Sequence, residues 1–143
     1  MDLENGPSVM FKLYKQGELF SVKVALPFKN QNKLYEFSLI LDTGAAITLV
    51  DLKIIDYLGY SARQDGIRKS LLDSAVGRSE GYMIKISSFA CLGFKLPNFQ
   101  IACHDLDTKL GVSGLLGMNF LKNFRIDMNY ESGEIYQIEP ALI

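Results

Sequence analysis

The chain has 143 residues, the usual length of one domain, and 48% of them are hydrophobic and 22% charged, as in an ordinary globular protein. Its net charge of −1 removes the usual electrostatic case for a nucleic-acid binder. The single His and the two Cys residues are too few for an H-E-x-x-H zinc site, a four-ligand structural zinc or a disulfide framework, and they leave open only a three-ligand metal site.

Targeting and membrane signals are not evident in the sequence. Residues 1–7 are acidic and polar, unlike a secretory signal peptide, and no apolar run reaches the roughly 18 residues that a membrane helix needs. We therefore expect a cytoplasmic protein without a membrane span. We also expect one domain over residues 1–143, with residues 1–7 disordered.

Short runs of alternating apolar and polar residues dominate the N-terminal third of the chain and predict strands. The runs at residues 9–13 and 20–26 flank Gly17 and predict a β-hairpin. A third run, at residues 35–41, leads into the string Asp42-Thr43-Gly44. A further short strand is predicted just after this string, where β-branched apolar residues follow one another.

The middle of the chain predicts one short helix followed by a long hairpin. Asp51 suits an N-cap, Gly59 suits a left-handed stop, and apolar residues fall at helical spacing between them. Residues 61–66 are polar and predict a loop. Strand-like arms at residues 67–72 and 82–88 flank a segment of small residues and glycines, which predicts a long, mobile hairpin.

The C-terminal half predicts two more strands, a loop, a short helix and a closing hairpin. In that order they cover residues 89–94 and 96–103 (interrupted at Gly93 and Pro97), 104–114, 118–123 and 124–138. The chain therefore has about nine to eleven short strands and at most two short helices, which indicates an all-β sandwich or barrel.

Asp42 is the strongest chemical candidate, because it places a carboxylate at the end of an apolar strand. A carboxylate among apolar neighbours is costly unless it is hydrogen-bonded or has a function. Thr43 places a hydroxyl beside it, and Gly44 permits the close approach of another backbone or a ligand. By itself the string also fits an ordinary turn at a strand end, since three residues match easily by chance.

The wider context resembles the retropepsin-like aspartic proteases. Apolar residues precede Asp42-Thr43-Gly44-Ala45 and Thr48-Leu49-Val50 follows it, as in the active-site segment of that family. Downstream, Gly114-Leu115-Leu116-Gly117 and its short helix resemble a second family element. The order of elements also agrees. The resemblance covers residues 18–138 and is closer to cellular and bacterial members than to pepsin.

This resemblance implies an all-β, closed retropepsin-like barrel with one or two short helices, and an aspartic endopeptidase that needs no metal or cofactor. It implies that Asp42 is catalytic and that Thr43 and Gly44 complete the catalytic loop, with Thr43 locking two halves of the site together. A flap that closes over the substrate is implied at residues 74–81. The implied substrate contacts are Ala45 on the loop and, on the flap, Ala75, Val76 and Gly77.

The chemistry of this family needs two carboxylates that share a proton, and the chain supplies only one Asp-Thr-Gly. The strings that start at Asp73 and Asp107 come nearest to a second one, and both lack the Gly. The second carboxylate must therefore come from a second copy of the chain, in a C2 homodimer that acts on a peptide or protein substrate. Two departures from the family pattern, Ala46 and Asn119, bear on rate and pH optimum.

Two other functions remain open from the residues alone. The same fold is compatible with a dimeric peptide- or protein-binding module whose cleavage is weak or lost, because fold does not establish activity. A thiol enzyme would use Cys91 or Cys103 with His104, although adjacent strand residues point to opposite faces and a Cys is by default a small buried hydrophobe. We expect His104 to lie in a loop or on the surface.

Overall fold

A computed structural model of the chain describes residues 5–74, 77–106 and 111–140, which form eleven strands and three short helices. In chain order they are β1 (Asn5–Lys12), β2 (Tyr14–Gln16), β3 (Leu19–Pro27), β4 (Leu34–Leu41), β5 (Leu49–Asp51), α1 (Leu52–Tyr57), α2 (Ala62–Asp65), β6 (Gly66–Ser74), β7 (Gly77–Cys91), β8 (Phe94–His104), β9 (Gly114–Leu116), α3 (Met118–Leu121), β10 (Arg125–Asn129) and β11 (Glu134–Pro140). The predicted all-β class is confirmed. Of the N-terminal residues expected to be disordered, 5–7 lie in β1 and 1–4 are outside the described residues.

The larger of two sheets closes on itself as a barrel. Its eight strands are hydrogen-bonded in the order β2-β3-β4-β9-β5-β8-β7-β6, and β7 also pairs with β3 at Val24↔Cys91 and Ala25↔Ala90. Six strands therefore form a closed ring, in the order β3-β4-β9-β5-β8-β7. Strand β2 pairs with β3, and β6 pairs with β7, outside this ring. The predicted closed barrel is confirmed.

A smaller antiparallel sheet, in the order β1-β11-β10, joins the N-terminal strand to the C-terminal hairpin. The predicted N-terminal hairpin is therefore wrong in its first arm, because residues 9–12 pair with β11 and only Tyr14–Gln16 pairs with β3 around Gly17. The chain passes from one sheet to the other at the buried Leu13, whose N–H donates to Gly133 O at 2.8 Å. An alternating pattern identifies a strand and its buried face but not its partner.

The described residues contain three helices where at most two were expected, and the extra one, α2, occupies the predicted loop. Ser61 Oγ accepts a hydrogen bond from Gln64 N at 3.2 Å, and Asp65 Oδ2 accepts one from Ser61 N at 2.9 Å. This reciprocal capping stabilises a single helical turn that has no apolar periodicity. Helix α1 begins after its Asp51 cap and ends before Gly59 at φ +98°, as predicted. No helix among the described residues has the length and apolar character needed to cross a membrane.

Strands β7 and β8 are longer than the sequence predicted. Strand β7 runs without a break through residue 91, and Pro97 lies inside β8 opposite Ser88 rather than interrupting it. A proline is tolerated there because β5, on the other side of β8, pairs only with residues 102–104, so this part of β8 is a sheet edge.

The barrel interior is apolar and aromatic. The buried Phe89 packs with ring centroids 4.5 Å from Phe99 and 5.3 Å from Phe120, so β7, β8 and α3 meet in the core. Leu39 on β4 and Leu116 on β9 have no exposed surface. The strands that lead to the Asp42 loop are therefore anchored in a packed core, which limits the positions that the loop can take.

Candidate active site

The Asp42 loop, residues 42–48, connects β4 to β5, and β9 lies between these two strands. Strand β9 pairs in parallel with β4, at Ile40↔Leu115 and Leu41↔Leu116, and antiparallel with β5, at Leu49↔Leu115 and Val50↔Gly114. Gly114 has φ +147°, and a Cβ there would overlap the carbonyl oxygen of Leu49, so only a glycine permits this approach. The downstream string that resembles a family element is thus the strand that supports the loop.

The carboxylate of Asp42 is held on one side and open on the other. Gly44 N donates to Asp42 Oδ1 at 2.8 Å, while Asp42 N donates to Leu116 O at 3.0 Å. Asp42 is half-buried, and Thr43 and Gly44 are exposed. Within the described part of this single chain no group hydrogen-bonds the Thr43 hydroxyl. The loop therefore presents a carboxylate and a hydroxyl on an open face.

A second group of hydrogen bonds ties the base of the loop to α3. Asn119 Oδ1 accepts from both Thr48 N and Thr48 Oγ1 at 2.8 Å, and Asn119 Nδ2 donates to Gln100 O at 2.9 Å. Thr48 Oγ1 in turn accepts from Gly117 N at 3.1 Å. In the sequence Asn119 stands out only as a departure from the family pattern. The amide supplies both the acceptor and the donor that this position uses, whereas an ionised carboxylate would supply acceptors only.

The first backbone N–H groups of α3 are also satisfied by the loop. Met118 N donates to Ala45 O at 2.7 Å, and Asn119 N donates to Ala46 O at 3.0 Å. A Cβ on Gly117 would lie 2.7 Å from Ile47 C, so the loop and the start of α3 touch backbone to backbone. These contacts bring the strings at residues 42–45 and 114–117 together in one site. Thr48 and Asn119, which are hydrogen-bonded there, are 71 positions apart in the chain.

A pocket of about 310 Å³ opens between the Asp42 loop and the hairpin formed by β6 and β7. The loop contributes Ala45, Ala46 and Ile47, and the hairpin contributes Ser70, Leu71, Leu72 and Met83, with Leu49, Ala102, His104 and Leu115 completing the lining. The walls are mostly apolar, so the pocket suits an uncharged side chain of a ligand. Among these residues only Ala45 is a substrate contact predicted from the sequence, because the others carry no motif and are brought together by strand pairing.

The hairpin predicted around residues 74–81 is present as the β6–β7 ladder, which continues to Ser74↔Gly77. Gly77, a predicted substrate contact, therefore lies at the start of β7. Ala75 and Val76, the other two predicted contacts on the hairpin, lie outside the described residues. Their roles, and the role of the hairpin as a flap, stay predictions.

His104 is buried, and its predicted place in a loop or on the surface is wrong. It ends β8 with 1% of its surface exposed. Its Nε2 lies 2.9 Å from Ser70 Oγ on β6, and its Nδ1 lies 3.3 Å from Ser79 Oγ on β7. Burial lowers the pKa of His104 below its ordinary value, so the ring is neutral near pH 7.

The two cysteines are placed as structural residues. Cys91 and Cys103 are both free and buried, and burial raises the pKa of the Cys103 thiol to about 12. A thiol with so high a pKa is not a nucleophile near neutral pH. The described residues contain no group of three or more His, Cys, Asp or Glu side chains arranged to hold a metal ion. The structure thus removes the support for a thiol enzyme built on Cys103 and His104.

Comparisons with known proteins agree with this geometry. Residues 26–120 match the sequence profile of a family described as aspartyl protease, and no curated relative matches the sequence. The fold is similar to that of a retropepsin-like aspartic protease from Rickettsia conorii, with 17% identity, a TM-score of 0.61, and coverage of 94% of this chain and 92% of that chain. It is also similar to EIAV protease complexed with the inhibitor HBY-793, with 18% identity, a TM-score of 0.53, and coverage of 77% and 91%.

At these identities the two structures establish the fold, whereas the profile match, which spans more than half of the sequence, establishes the family. The chain belongs to the aspartyl protease family and has the retropepsin-like fold.

Proposed function

We propose that this chain is an aspartic endopeptidase that works as a homodimer, with Asp42 from each protomer forming the catalytic pair. The observation that carries the proposal is the Asp42 loop, which fixes one carboxylate oxygen by the N–H of Gly44 and leaves the other side open. We also propose that residues 1–143 form one retropepsin-like domain. A single chain holds one Asp-Thr-Gly, so the pair is complete only when two loops face each other.

Two carboxylates at close range share one proton, because ionisation of one makes ionisation of the other unfavourable; this is established for aspartic proteases in general. The ionised Asp42 takes a proton from a water molecule as the water oxygen bonds to the scissile carbonyl carbon, and the protonated Asp42 of the other protomer donates its proton to the carbonyl oxygen. A proton then passes from the pair to the amide nitrogen as the C–N bond breaks and the carbonyl re-forms. The pair titrates as a unit, so activity is lost at both a lower and an upper pH limit. In this arrangement the Thr43 hydroxyl bonds across the two-fold axis, and the exposure of Thr43 in the single chain supports this role.

The substrate is a peptide segment in extended form, lying in the cleft between the two protomers. An extended peptide pairs its backbone with strand edges, and the β6–β7 hairpin supplies such an edge as a flap. The pocket beside the loop, at about 310 Å³, receives one uncharged side chain of the peptide. Closure of the two flaps excludes bulk water from the catalytic pair.

The test is a peptide-library digest read by mass spectrometry from about pH 3.5 to about pH 7.5, the range over which a shared-proton pair gains and loses activity. Wild type and Asp42→Asn are run in parallel, with the oligomeric state measured in the same buffers. Cuts that the wild type makes and the variant does not are expected. Cuts that survive in Asp42→Asn would show that another group does the chemistry.

Subunit mixing tests whether both protomers contribute to one site. Wild type and Asp42→Asn are mixed in equal amounts under conditions of subunit exchange. If the two chains assort at random, about a quarter of the dimers retain two Asp42 carboxylates, so about a quarter of the activity per dimer remains. Retention of about half the activity would mean that each chain acts alone.

The second candidate function is a dimeric binding module with little or no cleavage. Ala46 favours it, because alanine beside the catalytic loop offers no side-chain hydrogen bond to the site, where relatives often have Ser or Asp. A confirmed dimer that cuts no peptide in the library, and whose affinity for a bound peptide is the same in Asp42→Asn, would support the module over the protease.

A further inference from the structure

His104 joins both arms of the β6–β7 hairpin to the barrel wall beside the pocket. Its two ring nitrogens lie 2.9 Å from Ser70 Oγ on β6 and 3.3 Å from Ser79 Oγ on β7. A neutral imidazole has one donor and one acceptor nitrogen, which suits two hydroxyl groups whichever tautomer is present. A single buried side chain on β8 therefore contacts the hairpin on each of its strands.

The hairpin lies directly against the end of β8 at this point. A Cβ added to Gly81 on β7 would overlap the carbonyl oxygen of Cys103 and lie 2.8 Å from the His104 ring, so the absence of a side chain lets the two strands approach closely. Ser70 and its neighbours Leu71 and Leu72 form the hairpin side of the pocket. The position of the pocket wall thus depends on the contacts that hold the hairpin against His104.

No charged group among the described side chains compensates a charge on this ring. The titratable groups nearest to it on the elements packed around it are Lys69 on β6, Glu80 and Tyr82 on β7, Asp51, which pairs with His104 in the β5–β8 ladder, and Cys103 and Asp105 on β8 or just after it. Arg68 lies on the same face of β6 as Ser70 but is exposed, and Lys85 and Lys95 lie farther along β7 and β8. Lys69 and Glu80 are each adjacent to a serine that contacts the ring, and Cys103 is adjacent to His104 itself, so these side chains point to the opposite face of their strands. Tyr82 lies opposite Cys103. Asp51 and Asp105 both bind Lys53, at 3.4 Å and 2.7 Å from its Nζ.

We propose that His104 is a pH-sensitive positioning residue of the active site: the neutral ring holds the β6–β7 hairpin over the pocket, and protonation of the ring releases the hairpin. The link to substrate rests on the proposed function, whereas the link between protonation and hairpin release does not depend on it.

The physical reason is the hydration of the imidazolium ion. In the closed hairpin the ring is almost completely buried, and its only side-chain hydrogen-bond partners among the described residues are two neutral hydroxyl groups, so the charged form is poorly stabilised. Burial accordingly lowers the pKa of His104. When the hairpin lifts, water reaches the ring and the charged form becomes favourable. Each unit by which the pKa is lower in the closed form makes opening about tenfold more favourable for the protonated chain.

The first test needs no enzymatic activity and uses the Asp42→Asn variant in whichever oligomeric state it has. His104 is the only His in the chain, so its ring signals in an NMR titration need no assignment. We expect a pKa below about 6.5, the ordinary value for His. We expect hydrogen-exchange protection of the β6 and β7 backbone amides at residues 70–74 and 77–81 to fall about tenfold as the ring becomes protonated. Protection in β3, in β4 and at residues 82–84, which pair with β8, should stay unchanged. Hairpin protection that stays constant through the titration of His104 would overturn the proposal.

The second test compares His104→Gln with Glu80→Gln. The glutamine side chain introduced by the first substitution is neutral at every pH and offers donor and acceptor groups, so we expect the pH dependence of hairpin exchange to disappear. Glu80 carries a carboxyl group on the same hairpin and makes no hydrogen bond to the ring, so its replacement should leave the dependence intact. The reverse pattern would assign the effect to Glu80 and refute the role of His104.

Kinetics on the wild-type dimer then separate this proposal from the proposed function. We expect KM for a cleaved peptide to rise below the pKa of His104 in the wild type and not in His104→Gln, because the ring positions the pocket wall and the catalytic pair is the same in both chains. Absence of cleavage at every pH would count against the protease, and the exchange measurements would still decide the role of His104.

Discussion

Thr48 and Asn119 are 71 positions apart in the chain, and Asn119 Oδ1 accepts two hydrogen bonds of 2.8 Å from Thr48, one from its backbone N–H and one from its hydroxyl. Thr48 is completely buried. The pair fastens the loop that carries Asp42 to the start of α3, so the position of the carboxylate depends on a polar contact inside the molecule.

We expect Thr48→Val to lower the free energy of unfolding by about 1–3 kcal/mol, because it leaves the buried N–H of Gly117 without an acceptor. Asn119→Ala should cost at least as much, since it removes partners of Thr48 and of Gln100 O. Urea unfolding measures both, with Asn32→Ala, an exposed amide, as the control. The double variant should lose less than the sum of the two single losses; strict additivity would mean that the pair is not coupled.

Gly117 is expected to tolerate no side chain. An added Cβ would lie 2.7 Å from Ile47 C and 2.8 Å from Ala45 O, and both are backbone atoms that move only with the Asp42 loop. We expect Gly117→Ala to reduce kcat/KM on the order of a hundredfold, the effect of a displacement of about 1 Å at a catalytic group.

Gly17→Ala is the matched control for Gly117→Ala. Gly17 has φ +63° and open space around it, so alanine there adds backbone strain of about 1–2 kcal/mol without touching the loop. We expect Gly17→Ala to leave kcat/KM close to the wild-type value and Gly117→Ala to lower it. Equal kcat/KM in the two variants would show that the loop does not depend on Gly117.

Removing either of two buried tyrosine hydroxyls should change the free energy of unfolding, and the two changes should have opposite signs. Tyr60 Oη donates to Pro27 O at 2.9 Å, whereas Tyr82 Oη is buried and no described group hydrogen-bonds it. We expect Tyr60→Phe to lower the free energy of unfolding by about 1 kcal/mol, and Tyr82→Phe to raise it by a similar amount. Denaturant unfolding of the two variants side by side provides the comparison; destabilisation by Tyr82→Phe would show that its hydroxyl has a partner.

The stability of the chain should fall as the pH decreases from about 7 through about 6.5, the ordinary pKa of His. Burial lowers the pKa of His104 in the folded state, so between the folded and unfolded pKa values the unfolded chain binds more protons. Acid therefore favours unfolding across that interval, and the effect stops growing below the folded pKa. Thermal unfolding at several pH values measures how steeply stability depends on pH. His104→Gln should make this dependence weaker, and an unchanged dependence would mean that another group causes it.

The family and the candidate acid were predictable because their signals are local. Asp42-Thr43-Gly44-Ala45 and the string at residues 114–117 are contiguous, and short alternating runs separated by turns indicate an all-β fold from the pattern alone. Both elements of the resemblance lie where the structure joins β4, β9 and β5. The helix at α1 was also predictable, since its cap and its stop lie within a few residues of each other.

Other features depended on contacts between distant residues. The strand at residues 9–12 carries the right alternation but pairs with β11 rather than β3, because alternation specifies which face is buried and not which strand lies alongside. His104 follows a strand and precedes polar residues, so it resembles a loop residue until β6 and β7 are folded over it. Its burial and its contacts with two serines therefore depend on where the β6–β7 hairpin folds, and not on the sequence of β8 alone.

The sequence by itself determined that this is a β-rich chain of the aspartyl protease family with one Asp-Thr-Gly, since composition, alternation and contiguous motifs need no knowledge of distant contacts. Only the tertiary structure decided how the Asp42 loop is braced by Asn119, which residues line the pocket beside it, and that His104 is buried under the hairpin. These features join residues far apart in the chain, and strand pairing and core packing bring them together where no local pattern records the partner.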